Sequence, residues 1–159
     1  MIPQLKNGSD KKEKANGEVC HSIDDKGRLS IPNRFRETLT DSFVITRGLD
    51  HCLWMMTTEH WKRMEAGIRK LDHNKREVRA YARFLMGGMC EVELDKQGRM
   101  VLPQSLRDYA RIQKEVLFSQ GVDYVEIWPK ENYYEEIESI DMADCAENIS
   151  FIMPPEDEE

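Results

Sequence analysis

The stretch DDKGRLSIP at residues 24–32 returns in altered form as DKQGRMVLP at residues 95–103. Aligned on the arginine and the proline, both copies read Asp-x-x-x-Arg, with a glycine directly before the arginine. Past the proline, Phe35 aligns with Leu106, so an apolar position recurs as well. A repeat of this kind predicts two copies of one small structural unit. Because it preserves a glycine turn and cations in addition to core positions, it indicates a surface that is used twice.

Positive charge is concentrated beside the two copies, although the chain as a whole has a formal net charge of −7 at pH 7. Residues 26–36 carry four basic and no acidic side chains, and residues 96–107 carry three basic and no acidic ones. From residue 129 onward, eleven acids stand against one lysine. An acidic body with two basic patches favours binding of a polyanion, because the patches attract phosphates while the remainder resists indiscriminate association.

The composition predicts a globular cytoplasmic protein that does not contact a membrane. Of its 159 residues, 40% are hydrophobic and 33% charged, which suits one domain or two very small ones. Its apolar runs are a few residues long, and its first residues lack the apolar core of a signal peptide. The four cysteines have no metal-binding spacing, so we expect no metal and no cofactor. The four histidines stand in no hydrolase motif, and we expect no enzymatic activity.

The hydrophobic pattern divides the chain into five segments. Residues 1–17 form a polar arm that is predicted to be disordered. A first module at 18–72 and a second at 89–140 share one order: strand, turn, strand, short helix led by proline, two strands, helix. A helical connector at 73–88 lies between them, and residues 141–159 form an acidic tail. Units of about 50 residues bury little surface alone, so the modules are predicted to share a core as a pseudo-symmetric pair.

Two details of the helices are also predicted. The connector helix is expected over residues 75–85, with Gly87 and Gly88 as a hinge into the second copy. The closing helix of the second module is expected to turn Tyr134 and Ile137 towards the core, because they lie on one face of a helix.

The two turns, each followed by a helix that begins after proline, resemble the MraZ family, whose members contain two SpoVT/AbrB-type modules. The resemblance covers about residues 17–140, in DDKGRLSIPNRFRETL, FVITRGLDHCLW, GGMCEVELDKQGRMVLPQSLRDYA and KEVLFSQGVDYVEIWPKENY. It implies an α+β fold, in which a pseudo-symmetric tandem of two swapped-hairpin AbrB-like β modules shares one barrel-like core with flanking helices.

The resemblance also implies a function. Family members of this kind are ring-shaped homo-oligomers that bind G-rich direct repeats in double-stranded DNA upstream of their own operon and repress it. The operon heads a division and cell-wall gene cluster. By this resemblance the chain is a sequence-specific autorepressor that is associated with the nucleoid.

Carried over by position, the DNA-facing motif of the family falls on basic residues in the two turns and in the short helices after them. These residues are Lys26, Arg28, Arg34 and Arg36 in the first copy and Lys96, Arg99 and Arg107 in the second. The second copy departs from the pattern after its proline, where Gln104 and Ser105 replace basic character. The two copies are therefore not expected to contribute equally.

The chemistry of the residues suggests separate roles. The planar donor fork of arginine can meet guanine O6 and N7, so Arg28 is predicted to read a base. The lysines and the arginines of the short helices are predicted to contact phosphates. Asp24 and Asp95 are predicted to hold the turn or to pair with the arginine four residues later, and Gly27 and Gly98 to supply backbone freedom.

Other interpretations remain open at this point. The Asp-x-x-x-Arg pairs could be structural salt bridges without a ligand. The basic patches could bind an acidic protein, which would make the chain an oligomeric scaffold or inhibitor. A further variant is an AbrB-like antitoxin regulator that binds its partner through the acidic tail, although such regulators usually have one module.

Overall fold

The computed structural model describes residues 17–40, 42–150 and 153–156. The polar arm up to residue 16 and parts of the acidic tail lie outside the described residues. The strands are β1 Glu18–Ser22, β2 Arg28–Ser30, β3 Ser42–Arg47, β4 Leu53–Thr57, β5 Cys90–Glu93, β6 Arg99–Val101, β7 Glu115–Gln120 and β8 Val125–Pro129. The α-helices are α1 Asn33–Leu39, α2 Thr58–Arg69, α3 Arg76–Gly88, α4 Gln104–Ala110, α5 Lys130–Glu138 and α6 Met142–Asn148. A short 3-10 helix, Leu49–His51, connects β3 to β4.

Six strands form one antiparallel sheet in the order β1-β7-β8-β4-β3-β5. This order exchanges strands between the repeats, because β1 of the first pairs with β7 of the second, and β5 of the second pairs with β3 of the first. Strands β4 and β8 pair in the middle, where Trp54 lies opposite Glu126. Exchanging β1 with β5, β3 with β7 and β4 with β8 reproduces the same pairing. The predicted pseudo-symmetric, strand-swapped tandem is confirmed.

The remaining strands, β2 and β6, pair with each other as a two-stranded antiparallel ladder, here called the ribbon (residues 28–30 and 99–101). The backbone N–H of Asp24 donates to the carbonyl of Arg28 at 3.1 Å, and that of Asp95 donates to the carbonyl of Arg99 at 2.9 Å. A bridge between Ile23 and Leu29 adds to the first of these hairpins. The ribbon therefore connects the two edges of the six-stranded sheet, as a barrel-like core requires.

Apolar side chains pack on both faces of the sheet, since successive residues of a strand point to opposite sides. The face beneath the ribbon receives Leu29 and Met100 from the ribbon, together with Phe35 of α1 and Leu106 of α4, all buried. The opposite face is covered by α2, α3 and α5, in a second cluster that includes buried tryptophan and leucine side chains. The aligned positions Phe35 and Leu106 thus have equivalent places in the shared core.

The hinge predicted at Gly87 and Gly88 is wrong, because both residues lie in the last turn of α3. A Cβ atom on Gly88 would stand 2.7 Å from Cγ of Arg47, so the missing side chain allows the helix to lie against β3. The hydroxyl of Thr46 also donates to the carbonyl of Leu85 at 2.6 Å. Packing and this hydrogen bond outweigh the low helix propensity of glycine.

The predicted buried side of the closing helix is also wrong. Within α5 it is Tyr133 that is buried, whereas Tyr134 and Ile137 are 43% and 42% exposed. The helix begins directly after Pro129, so β8 sets its rotation and places the Tyr133 ring 5.7 Å from that of Trp128. The acidic tail also begins with a helix, α6, which the sequence pattern did not indicate.

Candidate nucleic-acid interface

The first Asp-x-x-x-Arg turn joins β1 to β2 and is held by its aspartate. Oδ1 of Asp24 accepts the backbone N–H groups of Lys26 at 2.9 Å and of Arg28 at 2.8 Å. Oδ2 of the same carboxylate accepts from Nε of Arg28 at 2.6 Å. Gly27 has a φ of +82°, a left-handed conformation that glycine adopts without steric cost. One carboxylate therefore closes the turn and orients the guanidinium, so both roles proposed for it coexist.

The second turn, between β5 and β6, repeats this geometry. Oδ1 of Asp95 accepts from the backbone N–H groups of Gln97 at 2.8 Å and Arg99 at 2.9 Å, and Oδ2 accepts from Nε of Arg99 at 3.1 Å. Gly98 has a φ of +74°. The turns are equal in length when counted from these aspartates. The lysine of the second turn, Lys96, consequently stands one position earlier than Lys26 does in the first.

Both carboxyl groups are held in the ionised form. The pKa of Asp24 is lowered from its ordinary value of 3.8, mainly because the carboxylate accepts the backbone N–H of Arg28 and then the Arg28 side chain. The pKa of Asp95 is lowered as well, with the backbone N–H of Arg99 as the main cause. Each arginine is thus paired with a full negative charge at neutral pH. Each arginine retains its directional donors but adds little to the long-range field. Lys26 and Lys96, which form no ion pair within the described part of the chain, contribute more to that field.

Each turn is completed by backbone from the other repeat. The backbone N–H of Leu102, after β6, donates to the carbonyl of Gly27 at 2.7 Å, and that of Ile31, after β2, donates to the carbonyl of Gly98 at 3.1 Å. The two turns are therefore positioned relative to each other by main-chain hydrogen bonds. This spatial coupling follows from the pairing of β2 with β6.

The arginines of the short helices also lie over the turn of the opposite repeat. A Cβ atom on Gly27 would lie 3.0 Å from Cζ of Arg107, and one on Gly98 would lie 2.5 Å from Nη1 of Arg36. Each cluster of cations is thus composite. The first contains Lys26 and Arg28 with Arg107 of the second repeat, and the second contains Lys96 and Arg99 with Arg36 of the first repeat.

The outward face of the ribbon carries the two motif arginines. Leu29 and Met100 face each other across the ladder and point into the core, so Arg28, Arg99 and their alternate neighbours point outward. Arg28 lies opposite Val101, and Arg99 lies two residues before Val101 on the same strand. The two arginines are therefore diagonal neighbours on one face of the ribbon, and residues in such positions are about 7–8 Å apart. The exposed fractions of the two arginine side chains are 38% and 31%.

The short helices differ between the copies in what they present. In α1, Nη1 of Arg36 donates to Oδ1 of Asn33 at 2.9 Å, and Arg34 is exposed. In α4, Gln104 and Ser105 stand where α1 has Asn33 and Arg34, and Nε2 of Gln104 donates to Oδ1 of Asp108 at 2.8 Å. Arg107 donates through Nε to the carbonyl of Leu102 at 3.1 Å. The two short helices thus present different side chains beside the ribbon, and the unequal contribution of the two copies stays a prediction.

Sequence reasoning missed Asn33 as an orienting residue. The signal was present, because residues three apart on a helix are neighbours and asparagine can accept from arginine. It also missed His21, whose Nδ1 lies 2.7 Å from the carbonyl oxygen of Ser30 and joins β1 to the ribbon. That contact links residues on two strands, and no spacing rule for a single element indicates it.

The fold and the paired turns define a protein made of two AbrB-like modules that share one core. The family model described as MraZ protein matches residues 15–84 and 85–148. The chain belongs to the MraZ family, as the sequence resemblance predicted.

Curated relatives are similar in sequence to this chain over most of their length, and each is named transcriptional regulator MraZ. The protein from Caldicellulosiruptor saccharolyticus is 41% identical over 135 residues, covering 84% of this chain and 94% of the relative. That from Natranaerobius thermophilus is 48% identical over 126 residues, covering 77% and 88%. That from Moorella thermoacetica is 49% identical over 119 residues, covering 75% and 83%.

Among the residues that the structure describes, no helix is long and apolar enough to cross a membrane. The same residues contain no group of three or more histidine, cysteine or acidic side chains that could hold a metal ion.

Proposed function

We propose that this protein is a transcriptional regulator that binds double-stranded DNA in a sequence-specific manner through the outward face of the ribbon. The observation that carries the proposal is the placement of the two Asp-x-x-x-Arg turns side by side, with both arginines on one exposed two-stranded ribbon. Relatives named as transcriptional regulators support the same class of function.

The two-stranded form and the donors of the ribbon suit the major groove. The groove is about 12 Å wide and admits a two-stranded β-ribbon. Nε of Arg28 and of Arg99 is already bonded to an aspartate, which leaves the terminal guanidinium nitrogens for a base. Guanine presents two acceptors, O6 and N7, that match such a pair of donors. This chemistry suits a G-rich target.

The remaining predicted site residues are assigned to phosphate contacts. They are Lys26, Arg34, Arg36, Lys96 and Arg107, which surround the ribbon at the turns and on the short helices. The lysines in the turns, which form no ion pair among the described residues, supply long-range attraction that the aspartate-paired arginines do not. The acidic remainder of the chain limits binding to DNA that lacks the target.

We assign the finer features of the family to this chain as parts of the same proposal. The chain forms a ring that binds G-rich direct repeats upstream of its own gene, in the cytoplasm at the nucleoid, and represses a division and cell-wall cluster. Each ribbon makes few contacts, so several ribbons on several repeats gain affinity through effective concentration. A single repeat is therefore expected to bind much more weakly than three in series, and equal affinities would refute this part.

The first test is binding of the purified protein to a labelled fragment from upstream of its own gene. The titration is repeated over a series of salt concentrations with an excess of unrelated DNA. Binding that withstands the competitor and weakens steeply with salt supports the proposal. Binding that unrelated DNA removes, or no binding, would favour a scaffold or inhibitor whose basic patches meet an acidic protein.

A further inference from the structure

We propose that Val101 recognises the C5-methyl group of a thymine in the major groove, beside the guanine assigned to Arg28. The inference rests on the proposed function and adds to it a specificity-determining residue that was not among the predicted site residues. It concerns an apolar side chain on the outward face of the ribbon.

Four side chains form the outward face of the ribbon. Arg28 lies opposite Val101, and Ser30 lies opposite Arg99. Ser30 and Val101 have equivalent places in the two repeats, because each follows its motif arginine by two residues. The two halves of the face therefore differ in one side chain, which carries a hydroxyl in the first repeat and an isopropyl group in the second.

The hydrogen-bond pattern of the ribbon holds Val101 close to Arg28. Cross-strand pairs alternate between hydrogen-bonded and non-hydrogen-bonded positions. The backbone N–H of Leu102 donates to the carbonyl of Gly27, so the next pair, Arg28 with Val101, is non-hydrogen-bonded. The Cα atoms of such a pair are about 4.5 Å apart, and their side chains approach more closely than in a hydrogen-bonded pair. Val101 and Arg28 therefore present their side chains at adjacent points of one surface.

The position of Val101 carries the argument more than its exposure does. Val101 is 62% exposed, whereas Leu29 and Met100 of the same ribbon are buried. An exposed valine in a strand needs no ligand to explain it, because valine is favoured in strands and single apolar residues are common on protein surfaces. This valine, however, lies beside both Arg28 and Arg99. A DNA groove that contacts both arginines covers Val101 as well.

The major groove offers a matching apolar group. Of the four bases, thymine alone presents a methyl group on its major-groove edge. Successive bases of one strand are about 3.4 Å apart along the helix axis, and the Cβ atoms of a cross-strand pair are about 4.5–5.5 Å apart. Val101 thus reaches a base one or two steps from the guanine assigned to Arg28. Contact between the valine and the thymine methyl removes apolar surface from water and favours thymine there.

The proposed contact gives the ribbon a direction. Ser30, the equivalent of Val101, has a hydroxyl that can both donate and accept, so it does not select a methyl group. Thymine is therefore selected at one end of the ribbon face, although the two arginines are related by pseudo-symmetry. Such a face recognises a target that is not palindromic. A direct repeat, in which every element has the same orientation, suits it.

The test removes single methyl groups from the DNA. The full-length protein is titrated with the shortest duplex from upstream of its own gene that retains target-specific binding, and each thymine of this duplex is replaced in turn by deoxyuridine. Deoxyuridine pairs with adenine and lacks only the C5-methyl group. Replacement at one position is expected to weaken binding about fourfold, as the loss of one buried methyl group implies. Replacement at the other positions is expected to leave the affinity unchanged.

Two variants of the ribbon face assign the effect to its residue. Val101→Ser makes the two halves of the face alike, and it is expected to bind the thymine and deoxyuridine duplexes equally. Ser30→Val is the matched control at the equivalent position, and it is expected to keep the difference at the original thymine. Circular dichroism and thermal unfolding check that both variants are folded. The deoxyuridine series with the wild-type protein does not depend on either variant.

The outcomes separate this inference from the proposed function. Target-specific binding without a sensitive thymine would overturn the role of Val101 and leave the regulator supported. A sensitive thymine that persists in Val101→Ser would assign the methyl contact to another residue and would overturn the inference as well. Absence of target-specific binding by the wild-type protein would overturn the proposed function and the inference together.

Discussion

At the scale of single residues, the arrangement around each motif arginine supports the proposed division between base recognition by the arginines and electrostatic attraction by the lysines. In both Asp24 and Asp95, one carboxylate oxygen accepts from two backbone N–H groups and the other accepts from an arginine Nε. The arginine loses conformational freedom before any ligand arrives, and pre-organisation of this kind lowers the entropic cost of binding. No aspartate among the described residues restrains the side chains of the lysines in the turns, which suits a less directional role.

Replacement of Arg28 tests this separation. Arg28→Ala is expected to weaken binding to the target by about 1–3 kcal/mol and to relax the preference for one base. Arg99→Ala tests the second copy in the same titration. Lys26→Ala serves as the matched control and should weaken binding equally on all sequences, while lowering the salt slope by about one unit. Arg28→Ala with unchanged affinity would contradict base reading and phosphate contact alike.

The lowered pKa values of Asp24 and Asp95 predict that the stability of the fold decreases at acidic pH. A carboxyl group whose folded pKa lies below its ordinary 3.8 stabilises the fold above that pH, and the contribution disappears as pH falls through the folded value. Replacing both turn aspartates, as Asp24→Asn with Asp95→Asn, should remove this contribution. Urea unfolding at pH 7 and about pH 3 should show a smaller loss of stability in the variant than in the wild type. Equal losses would show that the turns do not contribute.

The glycine of the first turn is expected to be irreplaceable by alanine. Gly27→Ala should cost about 1–2 kcal/mol of stability, since a Cβ atom is strained at positive φ. It should also weaken DNA binding, because the methyl group would displace Arg107. Gly67→Ala is the control. Gly67 lies in α2 with no atom within 4 Å of its Cβ position, so this change should stabilise by about 0.5–1 kcal/mol. Equal effects in thermal unfolding would contradict the account.

At the scale of elements, hydrophobic periodicity predicted the strands and the short helices led by proline, because those patterns are local. It failed at the ends of α3 and on the face of α5. In α3, Gly88 packs against Arg47 and the carbonyl of Leu85 accepts from Thr46. These contacts with residues far away in the sequence extend the helix through two glycines. In α5, the preceding strand sets the rotation of the helix, so Tyr133 is buried and the predicted Tyr134 and Ile137 are not.

Thr46 offers a test of how α3 is held on the sheet. It is fully buried, and its hydroxyl donates to the carbonyl of Leu85 near the end of the helix. Thr46→Val keeps the volume but leaves that carbonyl without this donor, and it should destabilise by about 1–3 kcal/mol. Thr46→Ser keeps the hydroxyl and should cost about 0.8 kcal/mol for the lost methyl group. A smaller loss in denaturant unfolding for valine than for serine would contradict the role of the hydrogen bond.

At the scale of the whole molecule, the two repeats depend on each other. The first half supplies β1, β2 and β4, whose partners β7, β6 and β8 all come from the second half. The composite cation clusters have the same origin, because Arg36 and Arg107 each lie over the turn of the opposite repeat. The surface proposed to bind DNA therefore belongs to the pair of repeats and to neither alone.

This dependence predicts how the first half behaves when it is expressed alone. A chain of residues 17–88 should be unfolded as a monomer and should fold only as a dimer, in which each copy supplies the missing equivalents of β7, β6 and β8. Circular dichroism over a range of protein concentration, with the mass measured by sedimentation, would detect the coupled transition. A stably folded monomer of this half would contradict the exchange of strands.

The sequence by itself determined the repeat, the two turns, the glycines within them and the cations beside them. These features depend on residues within a few positions of one another, where spacing and side-chain chemistry are sufficient. The tertiary structure alone decided which strand pairs with which, that Arg107 accompanies the first turn and Arg36 the second, and which apolar residues of α5 remain exposed. Those outcomes depend on contacts between residues far apart in the chain, whose free energies no local pattern records.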